Sequence, residues 1–261
     1  MCLAVDVQLS LFGYPFMVPK TPKLNMMIKM FSEKMLYSAS KPIIGTYVDA
    51  MLKMDIQMDM QFPKGAKIIA ANHPSSSDPF FVAAMLRQQA FILINELLFQ
   101  VPFFGEYLRL SGHIPVGAGN GQAAIQAALE HLEAGHTIMI FPEGGLSPFD
   151  GGFLKAHTGV ARLALMSGVP VFPVGIHLQR ERTHSIRSII HGQEEYGRWY
   201  LRGPYNMTVG KPLHFTGDVE DRPFVCTVAE NVMRHIISLV SESEKRLNQS
   251  PGALAGSFPA F

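Results

Sequence analysis

The sequence predicts an α/β fold: a single layered domain with a central mixed, mostly parallel sheet flanked by helices, preceded by an amphipathic helical pair. Three observations carry that reading. Short apolar runs of strand length, such as Ile68-Ile69-Ala70-Ala71, alternate with longer helical stretches. Proline and glycine punctuate nearly every joint between them. At 261 residues, 48% apolar and 16% charged, the chain is long enough to bury a substantial core as one unit and is greasy for a globular protein.

In chain order, residues 1–23 hold no clear period and read as a poorly ordered leader. Leu24 to Ala39 reads as a helix with Met26, Met27, Met30, Phe31, Met35 and Leu36 as its apolar set, and Pro42 is expected to open a second helix reaching Leu52. Six lysines fall between Lys20 and Lys53, against Glu33 and Asp49. A basic amphipathic pair of this kind can lie on an anionic bilayer, and a Met stripe with a solvated lysine face is the competing reading. Lys53 to Phe62 alternates Met and Ile with Asp and Gln, as a half-exposed edge strand does.

Lys67 to Asn72 follows as a buried strand, and Asp78-Pro79 looks like an N-cap with proline in the first turn of a helix running to Leu86. Phe91 to Ile94 reads as a strand, Leu97 to Leu110 as a helical stretch broken at Val101-Pro102, and Gly112 to Val116 as a strand. Gln122 to Ala134 is a helix stopped by Gly135, and Thr137 to Phe141 a buried strand delivering Pro142-Glu143-Gly144-Gly145. Ala156 to Ser167 is a helix, Val171 to Ile176 a buried strand, and His177 to Tyr205 a locally basic surface excursion with Arg180, Arg182, Arg187, Arg198 and Arg202. Asn206 to Gly210 completes the strands, Phe224 to Leu247 is a terminal helix, and the tail from Ser250 is too rich in Gly, Pro and Ala to hold structure. The divisions expected are therefore 1–53 for leader and helical pair, 54–249 for the domain and 250–261 for the tail.

Composition also excludes. A net charge of +1 rules out a general nucleic-acid-binding polyelectrolyte. Cys2 and Cys226 make no disulfide framework and have no metal-ligand spacing, which fits a reducing, cytoplasmic compartment. No apolar run reaches the length of a membrane span, and the N-terminus lacks a basic signal region.

The chemistry centres on His73 and Asp78. His73 ends a strand and Asp78 lies five residues on, across a loop holding three serines, a spacing that can fold a carboxylate back onto an imidazole. An imidazole so held can take a proton from a hydroxyl. No Gly-x-Ser-x-Gly elbow supplies a nucleophile, so the hydroxyl can belong to the substrate itself. The pair alone is an unspecific motif, and a loop histidine beside an N-cap aspartate is the plain alternative.

Four blocks in order lift it above that. Asn72-His73 through Asp78, Gly112-His113-Ile114-Pro115-Val116, Phe141-Pro142-Glu143-Gly144 with Ser147, and Val169-Pro170-Val171-Phe172-Pro173-Val174 together resemble the glycerolipid acyltransferases of the lysophosphatidic acid (1-acylglycerol-3-phosphate) acyltransferase type, from about Met54 to Pro212. The resemblance implies that His73 is a general base, Asp78 its partner, and an acyl thioester of coenzyme A or acyl carrier protein the donor, with no metal and no resident cofactor. By the same resemblance Glu143 helps bind a lysophospholipid or other lipid acceptor; Asn72, Gly144, Gly145 and Ser147, as backbone and hydroxyl donors beside it, and Lys155, as a candidate cation, complete the expected substrate-binding set, and the basic N-terminal helices point to a peripheral position on the inner face of a membrane. Two positions depart from the family. Gly117-Ala118 and Gly145-Leu146 stand where arginines for the acceptor phosphate are usual, so either a less charged acceptor is used or Lys155, Arg162, Arg180 or Arg182 substitutes. A lipid- or acyl-carrier-binding protein without turnover is the alternative from another class.

Overall fold

The structure, a computed structural model, describes residues 22–190 and 193–249. The leader over residues 1–21 and the tail from Ser250 lie outside the described residues. Nine strands and six α-helices are described, β1 (Leu52–Met58), β2 (Lys67–Ala71), β3 (Ala90–Asn95), β4 (Ile114–Val116), β5 (Thr137–Ile140), β6 (Val171–Leu178), β7 (Thr183–Ile190), β8 (Gln193–Tyr200) and β9 (Gly203–Val209), with α1 (Pro22–Met51), α2 (Asp78–Met85), α3 (Phe104–Leu110), α4 (Gly121–Glu133), α5 (Gly159–Ser167) and α6 (Arg222–Gln249).

Seven strands form one sheet in the order β1-β9-β6-β2-β5-β3-β4. The five from β6 to β4 run parallel, β9 runs antiparallel to β6, and β1 closes the edge parallel to β9. The mixed, mostly parallel sheet expected from the alternation of strands and helices is therefore present, with β1 as the edge strand. Strand side chains alternate faces, and in β2 the alternation divides the core. Ile68 and Ala70 face α4, α5 and α6 together with Ile138, Ile140 and Val171. Ile69 and Ala71 face the opposite layer with Met139, Phe172, Val174, and Val48 and Phe81 from α1 and α2. Because β2 is covered on both faces all five of its residues are buried, which is why it reads as an uninterrupted apolar run.

α6 has the length and hydropathy of a membrane span, yet Val225, Val228, Val232 and Ile236 are buried against the sheet. It approaches β6 so closely that a side chain at Gly175 would meet the backbone of Leu239 and Val240 at 2.2–2.3 Å.

Three readings change. The N-terminal helical pair is one helix: α1 continues through Pro42. An interior proline forfeits one hydrogen bond and crowds the preceding turn, at a cost of about 3 kcal/mol, but tertiary contacts hold both sides of it. Lys41 Nζ donates to the Leu86 carbonyl at 2.8 Å, where α2 ends, and Tyr47 stacks on Phe81 at 6.3 Å. Second, Ser77 is the residue that precedes α2, and Asp78 is its first helical residue, its carboxylate turned back into the preceding loop. Third, the basic stretch after His177 is mostly regular: β7 and β8 pair antiparallel over eight positions as a separate ribbon, from Thr183 opposite Tyr200 to Ile190 opposite Gln193. Its mixed polar pattern belongs to a ribbon with no full layer on either face.

Candidate active site

The parallel strands deliver their following loops to one edge of the sheet, and His73 after β2 and Glu143 after β5 meet there. His73 Nδ1 lies 3.0 Å from Asp78 Oδ2. Asp78 is wholly buried. Its Oδ2 also accepts the Ser75 backbone N–H at 2.7 Å, and its Oδ1 accepts the Ser75 and Tyr205 hydroxyls, each at 2.7 Å. A carboxylate only accepts, so Nδ1 carries the proton and Nε2 keeps its lone pair. The imidazole also lies nearly parallel to Phe141, 4.2 Å between centroids, which fixes the ring plane.

The main chain of His73 is held as firmly as its ring. Its N–H donates to Glu143 Oε1 at 3.1 Å, and its carbonyl accepts from Ser147 N at 2.8 Å. Glu143 also accepts the Ser147 hydroxyl at 2.7 Å and the Leu154 N–H at 2.8 Å, and is 1% exposed. The carboxylate thus ties the loop after β2 to the loop after β5 and braces the latter on itself.

A cavity of about 1800 Å³ opens beside His73. Of the expected substrate-binding set, Gly144 and Gly145 line it. Asn72, Glu143, Ser147 and Lys155 do not. Asn72 is buried and extends the sheet ladder, its side-chain amide donating to the Ile176 carbonyl at 2.9 Å and accepting the Ile176 N–H at 2.7 Å. Glu143 and Ser147 bond to each other and to the backbone, and Lys155 is exposed. Gly144 has a positive φ of 67°, and a side chain there would meet the His157 ring at 2.6 Å. Ala118 and Leu146 both line the cavity, so the two positions that depart from the resembled family's pattern present aliphatic groups to it. Of the four cations considered as replacements, Arg162 lines it, and Lys155, Arg180 and Arg182 do not. Arg180 donates instead to the Pro148 carbonyl. Lys41 lines the cavity too, but its ammonium is engaged by Tyr37 and Leu86.

The β7–β8 ribbon, which local pattern did not reveal, forms one wall. Ile186, Ser188, Ile190, Glu195, Gly197 and Trp199, which share one face in the cross-strand register, all line the cavity. The ribbon is fastened to the loop between His73 and Asp78: Ser76 N donates to the Arg198 carbonyl at 2.6 Å, Arg198 N to the Ser76 hydroxyl at 2.9 Å, and Tyr200 N to the Ser77 hydroxyl at 3.1 Å. The Arg198 guanidinium donates to the carbonyls of Pro74 at 3.2 Å and Ser147 at 2.9 Å. Burial, reinforced by Arg180, lowers its pKa from the ordinary value. His113 also lines the cavity; its Nδ1 accepts the Ile92 N–H at 3.3 Å, and burial, helped by His131, lowers its pKa to about 4.

Residues 53–177 match the family model described as Acyltransferase. The 1-acyl-sn-glycerol-3-phosphate acyltransferase of Salmonella typhimurium is 26% identical over 175 residues, covering 65% of this chain and 67% of that one. The enzyme of the same name from Escherichia coli is 25% identical over the same length and coverage, and that of Haemophilus influenzae 24% identical over 184 residues, covering 69% of each. A crystal structure of the 1-acyl-sn-glycerophosphate (LPA) acyltransferase PlsC from Thermotoga maritima aligns with 84% of either chain at 22% identity and a TM-score of 0.49.

Proposed function

We propose that this chain, whose residues 53–177 match the Acyltransferase family model, moves a fatty acyl group from an acyl thioester to a lipid hydroxyl, with 1-acylglycerol-3-phosphate as acceptor in phospholipid synthesis. The observation that carries the reading is the state of His73: Nδ1 is committed to a buried carboxylate, and Nε2 is left to a large cavity.

In the proposed step the acceptor hydroxyl sits against Nε2. As its oxygen attacks the thioester carbonyl carbon, the proton passes to Nε2, and Asp78 stabilises the imidazolium. The tetrahedral intermediate collapses by breaking the carbon–sulfur bond. The leaving thiolate takes the proton back from Nε2, so the imidazole is regenerated and a free thiol and an ester are released. Thioesters need little activation, and holding the hydroxyl in place supplies much of the rate. Coenzyme A and acyl carrier protein both present such a thioester, and either serves this chemistry.

The cavity exceeds the roughly 300–1,000 Å³ of ordinary small-molecule pockets, as a site for two acyl-bearing substrates requires. For the acceptor phosphate, Arg162 is the supporting residue: it is half-buried on α5, lines the cavity, and has no side-chain hydrogen bond or ion pair among the described residues. A second reading, an acceptor without a phosphate monoester, is favoured by Ala118 and Leu146. The full chain incubated with labelled acyl-CoA and acyl-acyl carrier protein, against lysophosphatidic acid, uncharged monoacylglycerol and glycolipid acceptors, separates them. Lysophosphatidic acid used best, with Arg162→Ala raising its KM at least tenfold, supports the first reading. Monoacylglycerol used better, with Arg162→Ala neutral, supports the second. No transfer to any acceptor, with lipid binding intact, overturns both.

Peripheral membrane association belongs to the same proposal. Met35 and Ile43 are exposed on α1 while Ile44, Tyr47 and Val48 pack inward, so these two apolar side chains are free to meet the bilayer that holds the acceptor.

A further inference from the structure

Asp78 is anchored mainly by its own loop: two of its four hydrogen bonds come from Ser75 and one joins His73. The fourth comes from Tyr205, 127 residues away on β9 and outside the matched segment 53–177. β9 is separated from β2 by β6, so the phenol reaches past the neighbouring strand to the base of α2. Its ring is fully buried, edge-on to Phe81 at 5.0 Å and tilted against Tyr200 at 6.0 Å, and has no room to turn away.

We propose that Tyr205 is a positioning residue of the acyl-transfer site, its hydroxyl fixing the orientation of Asp78 and spreading the charge with which that carboxylate holds the His73 imidazolium. The hydroxyl remains a donor across the working pH range, since burial first, and the Asp78 charge second, raise its pKa well above the ordinary tyrosine value. Oδ1 receives the phenol while Oδ2 receives His73, so the two bonds compete for one delocalised charge. Without the phenol the carboxylate binds the proton shared with His73 more strongly, and the imidazole gives it up only at higher pH. A base that must enter the reaction unprotonated is then less available at neutral pH.

The role as stated rests on the acyl-transfer reading, but the coupling from Tyr205 to His73 is measurable without substrate. In Tyr205→Phe, which removes one oxygen and keeps the packed ring, the acidic limb of the kcat/KM profile moves to higher pH by about 0.5 to 1 unit, the scale of a charge-assisted hydrogen bond partly shared between two groups. The His73 ring resonance, assigned by its loss in His73→Ala, shows its titration midpoint rising by the same amount in protein without substrate. Tyr200→Phe deletes an equally buried hydroxyl, one that bonds the Pro204 carbonyl, and leaves both midpoints in place. If Tyr205→Phe does not fold, 3-fluorotyrosine at position 205 tests the same bond: a stronger donor in nearly the same volume moves the midpoint down. A His73 midpoint unmoved in Tyr205→Phe, or under fluorination, overturns the proposal, as does a uniform loss of rate at every pH with an unmoved limb. Wild-type protein that transfers no acyl group while its His73 midpoint still follows Tyr205 defeats the acyl-transfer reading alone.

Discussion

Replacing Glu143 by glutamine separates a brace from a substrate contact. The carboxylate accepts three hydrogen bonds inside the protein, from His73 N, Ser147 Oγ and Leu154 N, and is buried. Glutamine keeps one oxygen. Set at the Oε1 position, that oxygen retains the His73 and Ser147 bonds, now to a neutral acceptor, while the amide NH2 faces the Leu154 N–H. Hydrogen bonds to charged groups contribute roughly 1.5–3 kcal/mol and neutral ones about 1, and a buried donor left unmet costs about 1–3 kcal/mol. Part of this is recovered because a charge no longer has to be buried, leaving a net destabilisation on the order of 3 kcal/mol. In a chain of this size that lowers Tm by roughly 6–12 °C, read by differential scanning calorimetry. The His73 N–H then rests on a neutral oxygen and the Leu154 segment loses its tie, so kcat falls by about 10- to 100-fold while the acceptor KM changes less than about threefold. A variant with unchanged Tm and kcat but a sharply raised acceptor KM would place Glu143 on the acceptor and refute the brace.

Three further outcomes are expected. His113 is held neutral down to about pH 4 in the fold but titrates near 6.5 when unfolded, so the unfolded chain gains the proton first and stability falls as pH drops through that window. Equilibrium denaturation at pH 7.5 and 4.5 registers a loss on the order of 2–3 kcal/mol from this group, and the wild-type minus His113→Gln difference has that slope. Gly144→Ala forces a side chain onto a left-handed residue and into the His157 ring; a destabilisation of roughly 1–2 kcal/mol with loss of turnover is expected, and a fully active, equally stable variant contradicts the tight turn. The exposed face of α1 is tested by Met35→Glu with Ile43→Glu, which leaves the packed face intact: sedimentation with anionic vesicles falls severalfold, and equal sedimentation removes α1 as the docking element.

The parallel core of the sheet was legible because its signals are local. β2, β5 and β6 are buried on both faces and read as apolar runs, and the loops that follow them carry His73, Glu143 and their proline and glycine turns. The His73–Asp78 spacing was legible for the same reason, since five residues of loop suffice to close it. What local pattern could not convey was where a side chain spends its hydrogen bonds. Glu143 in a proline–glycine turn looks like an exposed carboxylate, and only the packing of its own long loop and the loop after β2 around it makes it a buried brace. Asn72 looks like part of the chemistry and is a rung of the sheet. The ribbon β7–β8 spreads its apolar and aromatic residues over both faces, Ile186 and Trp199 on one and Ile189, Tyr196 and Tyr200 on the other, among charged and polar ones, so no period marks it. Tyr205 has no signal at all: its meaning depends on β9 inserting between β1 and β6, a long-range choice of strand order. Pro42 marked a helix boundary that contacts with α2 override.

The most direct test of the account is a single-turnover measurement of acyl transfer by wild type and His73→Ala, from labelled acyl-CoA or acyl-acyl carrier protein to lysophosphatidic acid in mixed micelles. Wild type is expected to form phosphatidic acid, and His73→Ala to do so at a rate lower by at least about 10³-fold with Tm and lipid binding retained, because the imidazole placed between Asp78 and the cavity is gone. Turnover by His73→Ala within a few-fold of wild type contradicts it.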